Sequence, residues 1–257
     1  MQAGLKKQWV LFCYSLSFFS RSPIPQTINF TAFPFHLGNA YFPLIGTLSA
    51  IISFGVYYFA QLFFDPTISI LLMLTAGLLF TGGLHEDGFA DCCDGFGGGY
   101  SKAQCLAIMK DSQIGTYGVL GLIILLALKV HLFIDLSSQS NLTLLGVLLS
   151  AAMLSRLSVL LVIQYDQYAR EGVSKASNSS HKLPKHYFVL TIIFSLCSLY
   201  WMPLTWGAGI LIALAVSTSL CRIYFKRQIG GYTGDCLGFL QQLNELLILL
   251  ILVYLFQ

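Results

Sequence analysis

Seven apolar stretches, at 41–64, 67–84, 114–134, 142–163, 186–202, 204–224 and 239–256, leave this chain few ways to fold. A helix needs about 20 apolar residues to cross a bilayer. In lipid every backbone polar group must be satisfied internally, so the spanning unit is a helix. Only 10% of the residues are charged, against roughly a quarter in soluble domains, and the mean hydropathy is +0.74. The expectation is an all-α, polytopic transmembrane helical bundle of about seven spans, forming one catalytic domain over 1–257. Pro203 punctuates a tight hairpin between the fifth and sixth stretches. The segment Trp9–Ser20 is apolar but too short to span, and it lacks a small-residue cleavage site. It reads as an N-terminal interfacial or re-entrant helix, ended by Arg21-Ser22-Pro23-Ile24-Pro25.

Charge orients these spans. Connectors around Asp65, 135–141 and 201–206 carry no Lys or Arg, whereas the alternate set carries eleven of the fourteen basic residues. The positive-inside rule then places the N-terminus, the connector after 84, loop 164–185 and loop 225–238 in the cytoplasm, with the C-terminus outside. Loop 170–185 is the most polar segment and reads as a mobile, solvated face. Three basic residues fall at membrane depth. Lys129 and Arg222 are expected to snorkel to an interface. Arg156 is either a functional group or a structural partner of a buried acid such as Glu245. The net charge of +3, without a basic stripe, excludes nucleic acid as a partner. The seven cysteines include no CxxC pair. They read as reduced, small apolar residues, neither a disulfide framework nor a zinc site.

Against this background the stretch Thr81–Gly99 stands out. Glu86, Asp87, Asp91 and Asp94 crowd together without a basic residue between them. Asp87, Asp91 and Asp94 stand at i, i+4 and i+7, one face of a helix. Such a face repels itself when empty. Mg²⁺, which combines one or two carboxylates with waters and substrate phosphates, relieves that repulsion. Gly95 and Gly97-Gly98-Gly99 are expected to end the helix and free backbone N–H groups for substrate. Cys92-Cys93 reads as small filling beside the acids.

Two further segments belong on the same side. In 108–118, Lys110 offers a point charge to a phosphate, and Asp111 a further ligand or base. In 230–245, glycines open a polar loop with Thr233 that enters an apolar helix. Asp235, Gly238, Gln242 and Glu245 then share one broad face. Glu245 is either part of a substrate-binding wall or the partner of Arg156. Together the three segments outline a cytoplasm-facing cavity for a metal and a phosphate-bearing substrate.

With these residues in view, the chain resembles the cobalamin synthase family, the adenosylcobinamide-GDP ribazoletransferases. The resemblance rests on Gly82–Gly99, Ile108–Gly118 and Thr233–Gly238, with shorter echoes at Arg21–Pro25 and Phe42–Gly46. Glu86 and Cys92-Cys93 stand where family members commonly carry other residues. The resemblance implies a Mg²⁺-dependent enzyme of the bacterial inner membrane. It would transfer the adenosylcobinamide phosphate moiety from adenosylcobinamide-GDP to α-ribazole or its 5′-phosphate, with release of GMP. Asp87, Asp91 and Asp94, with Glu86 beside them, are then the metal candidates. Lys110 faces the leaving phosphate, and Asp111 or Asp235 orients or deprotonates the acceptor hydroxyl. His85 is a further base candidate or a packed residue. Arg156, Thr233, Glu245 and Gly97–Gly99 are the substrate-binding candidates. Implied partners are the two substrates, the bilayer, further copies of the chain and other late cobalamin-assembly enzymes. Two alternatives stand beside this reading. Asp91-Cys92-Cys93-Asp94-Gly95 matches the opening half of the CDP-alcohol phosphotransferase motif, without its second half at the expected spacing. A cation or vitamin transporter would suit intramembrane charges, but the acids concentrate off the midplane and no internal symmetry is evident.

Overall fold

The computed structural model describes residues 2–169 and 180–257. The expected solvated loop therefore lies, over 170–179, outside the described residues, as do Arg170 and Lys175. Among the described residues the fold is helical: α1 (Gln2–Phe19), a 3₁₀ turn (Phe35–Tyr41), α2 (Phe42–Ala60), α3 (Pro66–Thr81), α4 (Leu84–Gly98), α5 (Lys102–Ile108), α6 (Thr116–Leu136), α7 (Asn141–Tyr165), α8 (Lys185–Leu196) with a 3₁₀ extension Cys197–Leu199, α9 (Leu204–Ile229) and α10 (Gly234–Phe256). The one departure is an isolated bridge between Tyr168 and Tyr232.

All seven apolar stretches are helical, but they are not equal. Among the described residues five helical segments are long and apolar enough to cross a membrane: Phe35–Ala60, α6, α7, α9 and α10. The pair α3–α4 makes a sixth if it is taken as one span, bent by 88°. The fifth apolar stretch forms the shorter apolar helix Lys185–Leu199. Its α8 portion has 12 residues, about 18 Å at 1.5 Å per residue. The bend has a local cause. Gly82 and Gly83 adopt φ of +69° and +68°, a conformation that glycine alone tolerates readily.

Small residues let the helices pack. In α7, Gly146, Ser150, Ala151, Ala152, Ser155 and Ser158 are buried, and 89% of its apolar window lies inside the protein, so α7 is the central post. Helix α2 lies against it at Gly46, where an added Cβ would sit 2.8 Å from the Ala152 carbonyl and the Arg156 side chain. At one end of the bundle Trp201 stacks on Phe256 and covers Gly146. At the other, the Gly82-Gly83 turn, the start of α6 and the α9–α10 connection come together.

Helix α1 is not a candidate span. Its Leu11, Cys13 and Tyr14 are fully buried, and the Tyr14 hydroxyl donates to the Asn29 carbonyl (2.7 Å), tying down the proline-containing loop. All seven cysteines are free thiols.

Three local expectations change. The helix does end in the glycine run, at Gly98 with Gly99 as its cap, but Gly95 and Gly97 lie within α4. Their missing side chains instead admit neighbours: a Cβ on Gly95 would meet Met109 at 2.5 Å, and one on Gly97 would meet Tyr117 at 2.6 Å. Lys129 does not snorkel, because its ammonium is buried and ion-paired with Glu245 (2.9 Å). Arg222 reaches toward the connector that follows α7, but to a specific partner. Its guanidinium holds both carboxylate oxygens of Asp166, the Nη2 bond measuring 3.2 Å.

Candidate functional site

The site begins with a crossing of α4 over the start of α10, where both helices present glycine. A Cβ on Gly88 would lie 3.0 Å from the Asp235 Cα and carbonyl oxygen. One on Gly238 would lie 2.9 Å from the His85 carbonyl and 3.2 Å from the Gly88 Cα. Backbone thus meets backbone, and the acidic helix is set directly against the Thr233–Gly238 segment.

Thr233 caps α10. Its hydroxyl oxygen accepts from the Cys236 N–H (3.2 Å) and its O–H donates to the Asp235 carboxylate (3.2 Å). Fully buried Thr233 therefore orients Asp235 from beneath. The chain just before it is held by paired backbone bonds, Tyr232 N–H to Gln167 carbonyl (3.0 Å) and Ala169 N–H to Tyr232 carbonyl (2.8 Å). Burial raises the Tyr232 phenol above its ordinary pKa, and its O–H donates to the Ser180 carbonyl (3.3 Å).

The crossing opens a cavity of about 170 Å³ whose wall includes His85, Asp87, Asp235, Phe42, Tyr168 and Ser180. Asp87 is exposed and His85 buried, the imidazole stacked on Phe42 with centroids 5.7 Å apart and its Nε2 without a hydrogen-bond partner. A second cleft of about 510 Å³ shares Asp87 and adds Arg21, Ser17, Ser20 and Glu86. Phe42, Tyr168 and Ser180 were invisible from spacing, since they come from distant elements. Arg21 carried one signal, its place just past the end of α1 before two prolines.

The other acids are placed differently. Asp94 is buried, and its two oxygens accept from the N–H groups of Gly115 (2.7 Å) and Gly118 (2.8 Å). It docks the start of α6 onto α4, a favourable place for a carboxylate at a helix N-terminus. Asp91 is half-buried one turn beyond Asp87. Lys110 and Asp111 are exposed on the α5–α6 connector, where the Asp111 carboxylate accepts from its own turn at Gln113 (3.1 Å). Lys110 lines neither cavity that contains Asp87. Gly99 lies against Cys105, and Gly97-Gly98 is exposed.

Glu86 turns the other way, into a polar network inside the bundle. Gln242 donates to Glu86 (2.8 Å), Lys129 donates to Gln242 (2.6 Å) and Glu245 (2.9 Å), and Gln241 donates to Glu245 (2.6 Å) and Ser155 (3.1 Å). The close ionic partner of Glu245 is thus Lys129, which neither expectation named, and not Arg156. Arg156 lies over the Phe42 ring at 5.3 Å and donates to the Ala152 carbonyl (2.9 Å). Glu86, Lys129, Arg156, Gln242 and Glu245 line a cavity of about 70 Å³. Its wall shares His85 with the Asp87–Asp235 cavity.

Among the described residues no cluster of three or more His, Cys, Asp or Glu side chains forms a ready metal cage. The donor set fits a different kind of site. Asp87, on this cavity, and Asp91, one turn beyond it on α4, are hard oxygen ligands of the number Mg²⁺ uses when water and substrate phosphate complete its shell.

Comparisons with known proteins identify the family. The cobalamin-5-phosphate synthase family model matches residues 11–253. An adenosylcobinamide-GDP ribazoletransferase of Pseudoalteromonas atlantica is 38% identical over 98% of this chain and 94% of its own length. That of Shewanella amazonensis is 37% identical over 97% of each. That of Leptospira interrogans is 38% identical over 95% of this chain and 94% of its own. No solved structure matches the chain.

Proposed function

The chain belongs to the cobalamin-5-phosphate synthase family, and on that premise we propose that it transfers the adenosylcobinamide phosphate moiety from adenosylcobinamide-GDP to α-ribazole or its 5′-phosphate, releasing GMP. The observation that carries the reading is the cavity that brings Asp87, His85 and Asp235 together from α4 and α10. Phosphoryl transfer asks a protein mainly for positioning and charge neutralisation, and the glycine crossing positions these groups through backbone alone.

The acceptor hydroxyl sits in this cavity. Its oxygen bonds to phosphorus, the bridging P–O bond of the pyrophosphate breaks, and GMP leaves with that electron pair. Asp235, oriented by Thr233, or the His85 imidazole holds the proton released. Asp87 and Asp91 would hold Mg²⁺, which would supply neutralisation of the phosphoryl oxygens when bound. Asp94 keeps the start of α6 docked on α4, the helix that carries Asp87. The excess of basic residues at this end of the bundle supports a bacterial inner-membrane location with the site facing the cytoplasm.

The test is GMP release by the purified protein in lipid nanodiscs, with and without Mg²⁺. Release that needs both adenosylcobinamide-GDP and α-ribazole, and that EDTA abolishes reversibly, is expected. Release driven by a lipid alcohol instead, or no release, overturns the reading.

A further inference from the structure

Arg21 lies two residues past the end of α1 in a constrained place. Its backbone N–H donates to the Phe80 carbonyl (2.8 Å), fixing it to the last turn of α3. Its guanidinium lies across Gly82, where an added Cβ would collide with the Arg21 Nε. The left-handed φ of +69° at Gly82 keeps that position bare of a side chain. Yet among the described residues no acid or hydrogen-bond acceptor pairs with this guanidinium. It stands free in the cleft of about 510 Å³ that also contains Glu86 and Asp87.

Asp87 is common to that cleft and to the cavity holding Asp235 and His85. In phosphoryl transfer the attacking and leaving oxygens lie roughly in line on opposite sides of phosphorus. Two cavities that share Asp87 give the attacking and leaving oxygens separate places beside one candidate metal ligand. With the acceptor hydroxyl on the Asp235 side, the leaving group departs toward Arg21. A planar guanidinium suits a phosphate that gains charge as it leaves, because it can donate two parallel hydrogen bonds. Lys110, the cation that sequence alone offers for this task, lines neither cavity.

We propose that Arg21 binds the guanylate phosphate of the nucleotide-activated donor and stabilises it as it departs. This role rests on the transferase reading above. As the acceptor oxygen forms its bond to the corrinoid phosphate, the electron pair of the broken P–O bond goes to the guanylate. Arg21 neutralises that charge without taking or giving a proton.

The experiment measures turnover and GMP product inhibition for wild type, Arg21→Ala and Arg21→Lys in nanodiscs. In R21A the GMP inhibition constant should rise about 10- to 100-fold, the span expected for losing a hydrogen-bonded charged partner. The KM for α-ribazole should stay within about twofold, since that contact is untouched. R21K should fall between the two, keeping charge without the fork. Unaltered GMP inhibition in R21A beside an active wild type overturns the role of Arg21 alone. A wild type that releases no GMP overturns the transferase reading, and this role with it. A matched rise in both substrates' KM with lost thermal stability shows a merely structural arginine. If R21A fails to reach the membrane, R21K decides: weakened GMP inhibition at unchanged α-ribazole KM supports the role, and wild-type inhibition overturns it.

Discussion

Replacing Asp94 separates two kinds of acid within one stretch. Its carboxylate is 7% exposed and satisfies two backbone N–H groups at 2.7 and 2.8 Å. A hydrogen bond to a charged group contributes about 1.5–3 kcal/mol, so two sum to about 3–6 kcal/mol. They share one acceptor and are not independent, which brings the expectation for Asp94→Ala to about 3–4 kcal/mol. At about 2–4 °C per kcal/mol for a chain of this size, the unfolding midpoint falls by about 6–16 °C. Asp94→Asn keeps one acceptor oxygen and should lose roughly half as much. The assay is thermal unfolding in nanodiscs beside a Mg²⁺ titration of GMP release. Both variants should keep the wild-type Mg²⁺ midpoint per folded molecule. Wild-type stability together with a shifted Mg²⁺ midpoint would show that Asp94 is a ligand and would refute the docking argument. Asp87→Asn should behave in the opposite way, moving the metal response with little effect on stability.

Three further outcomes are expected. Glu245→Ala strands a buried ammonium and should cost about 3–5 kcal/mol, whereas Lys129→Met combined with Glu245→Met should recover much of that; additive losses in a thermal-unfolding cycle would contradict the pairing. Gly88→Val should lower GMP release about a hundredfold by displacing α4 from Asp235, and an unimpaired rate would show that the crossing is not needed. Tyr100 and Tyr200, 95% and 96% exposed, lie at opposite ends of the bundle; with the seven native cysteines, exposed Cys197 among them, replaced by Ser, an impermeant thiol reagent added to intact cells should label Tyr200→Cys and spare Tyr100→Cys, and the reverse pattern would invert the orientation.

Much of this was legible in the sequence, for identifiable reasons. Apolar runs betray helices because the bilayer dictates their length, and all seven runs are helical. The three polar segments converge because each interrupts or abuts an apolar run at the same end. The 88° bend also had a trace in Gly82-Gly83, two residues free to turn left-handed. What stayed hidden was pairing across helices. Periodicity shows that Lys129, Glu245 and Gln242 lie within helices, but not which of them face one another, and in a helix hydrophobic nearly all round no face is marked. Asp94 was unreadable for the same reason: its partners lie 21 and 24 residues ahead. Its spacing from Asp87 and Asp91 is that of a ligand face, yet its carboxylate serves another helix.

The glycine crossing has a mechanical consequence. Gly238 is the fifth of the 23 residues of α10, so the contact with α4 acts as a fulcrum near one end. Asp235 lies three residues from it, an arm of about 4.5 Å, and Phe256 eighteen residues away, an arm of about 27 Å. A 5° tilt imposed by a thicker or thinner bilayer would swing the far end by about 2.4 Å but Asp235 by only about 0.4 Å. Misplacement of order 1 Å is enough to cost a transfer reaction dearly. The short arm therefore isolates the reacting groups from the lipid, and lets a membrane helix carry a site that does not feel the thickness of the membrane.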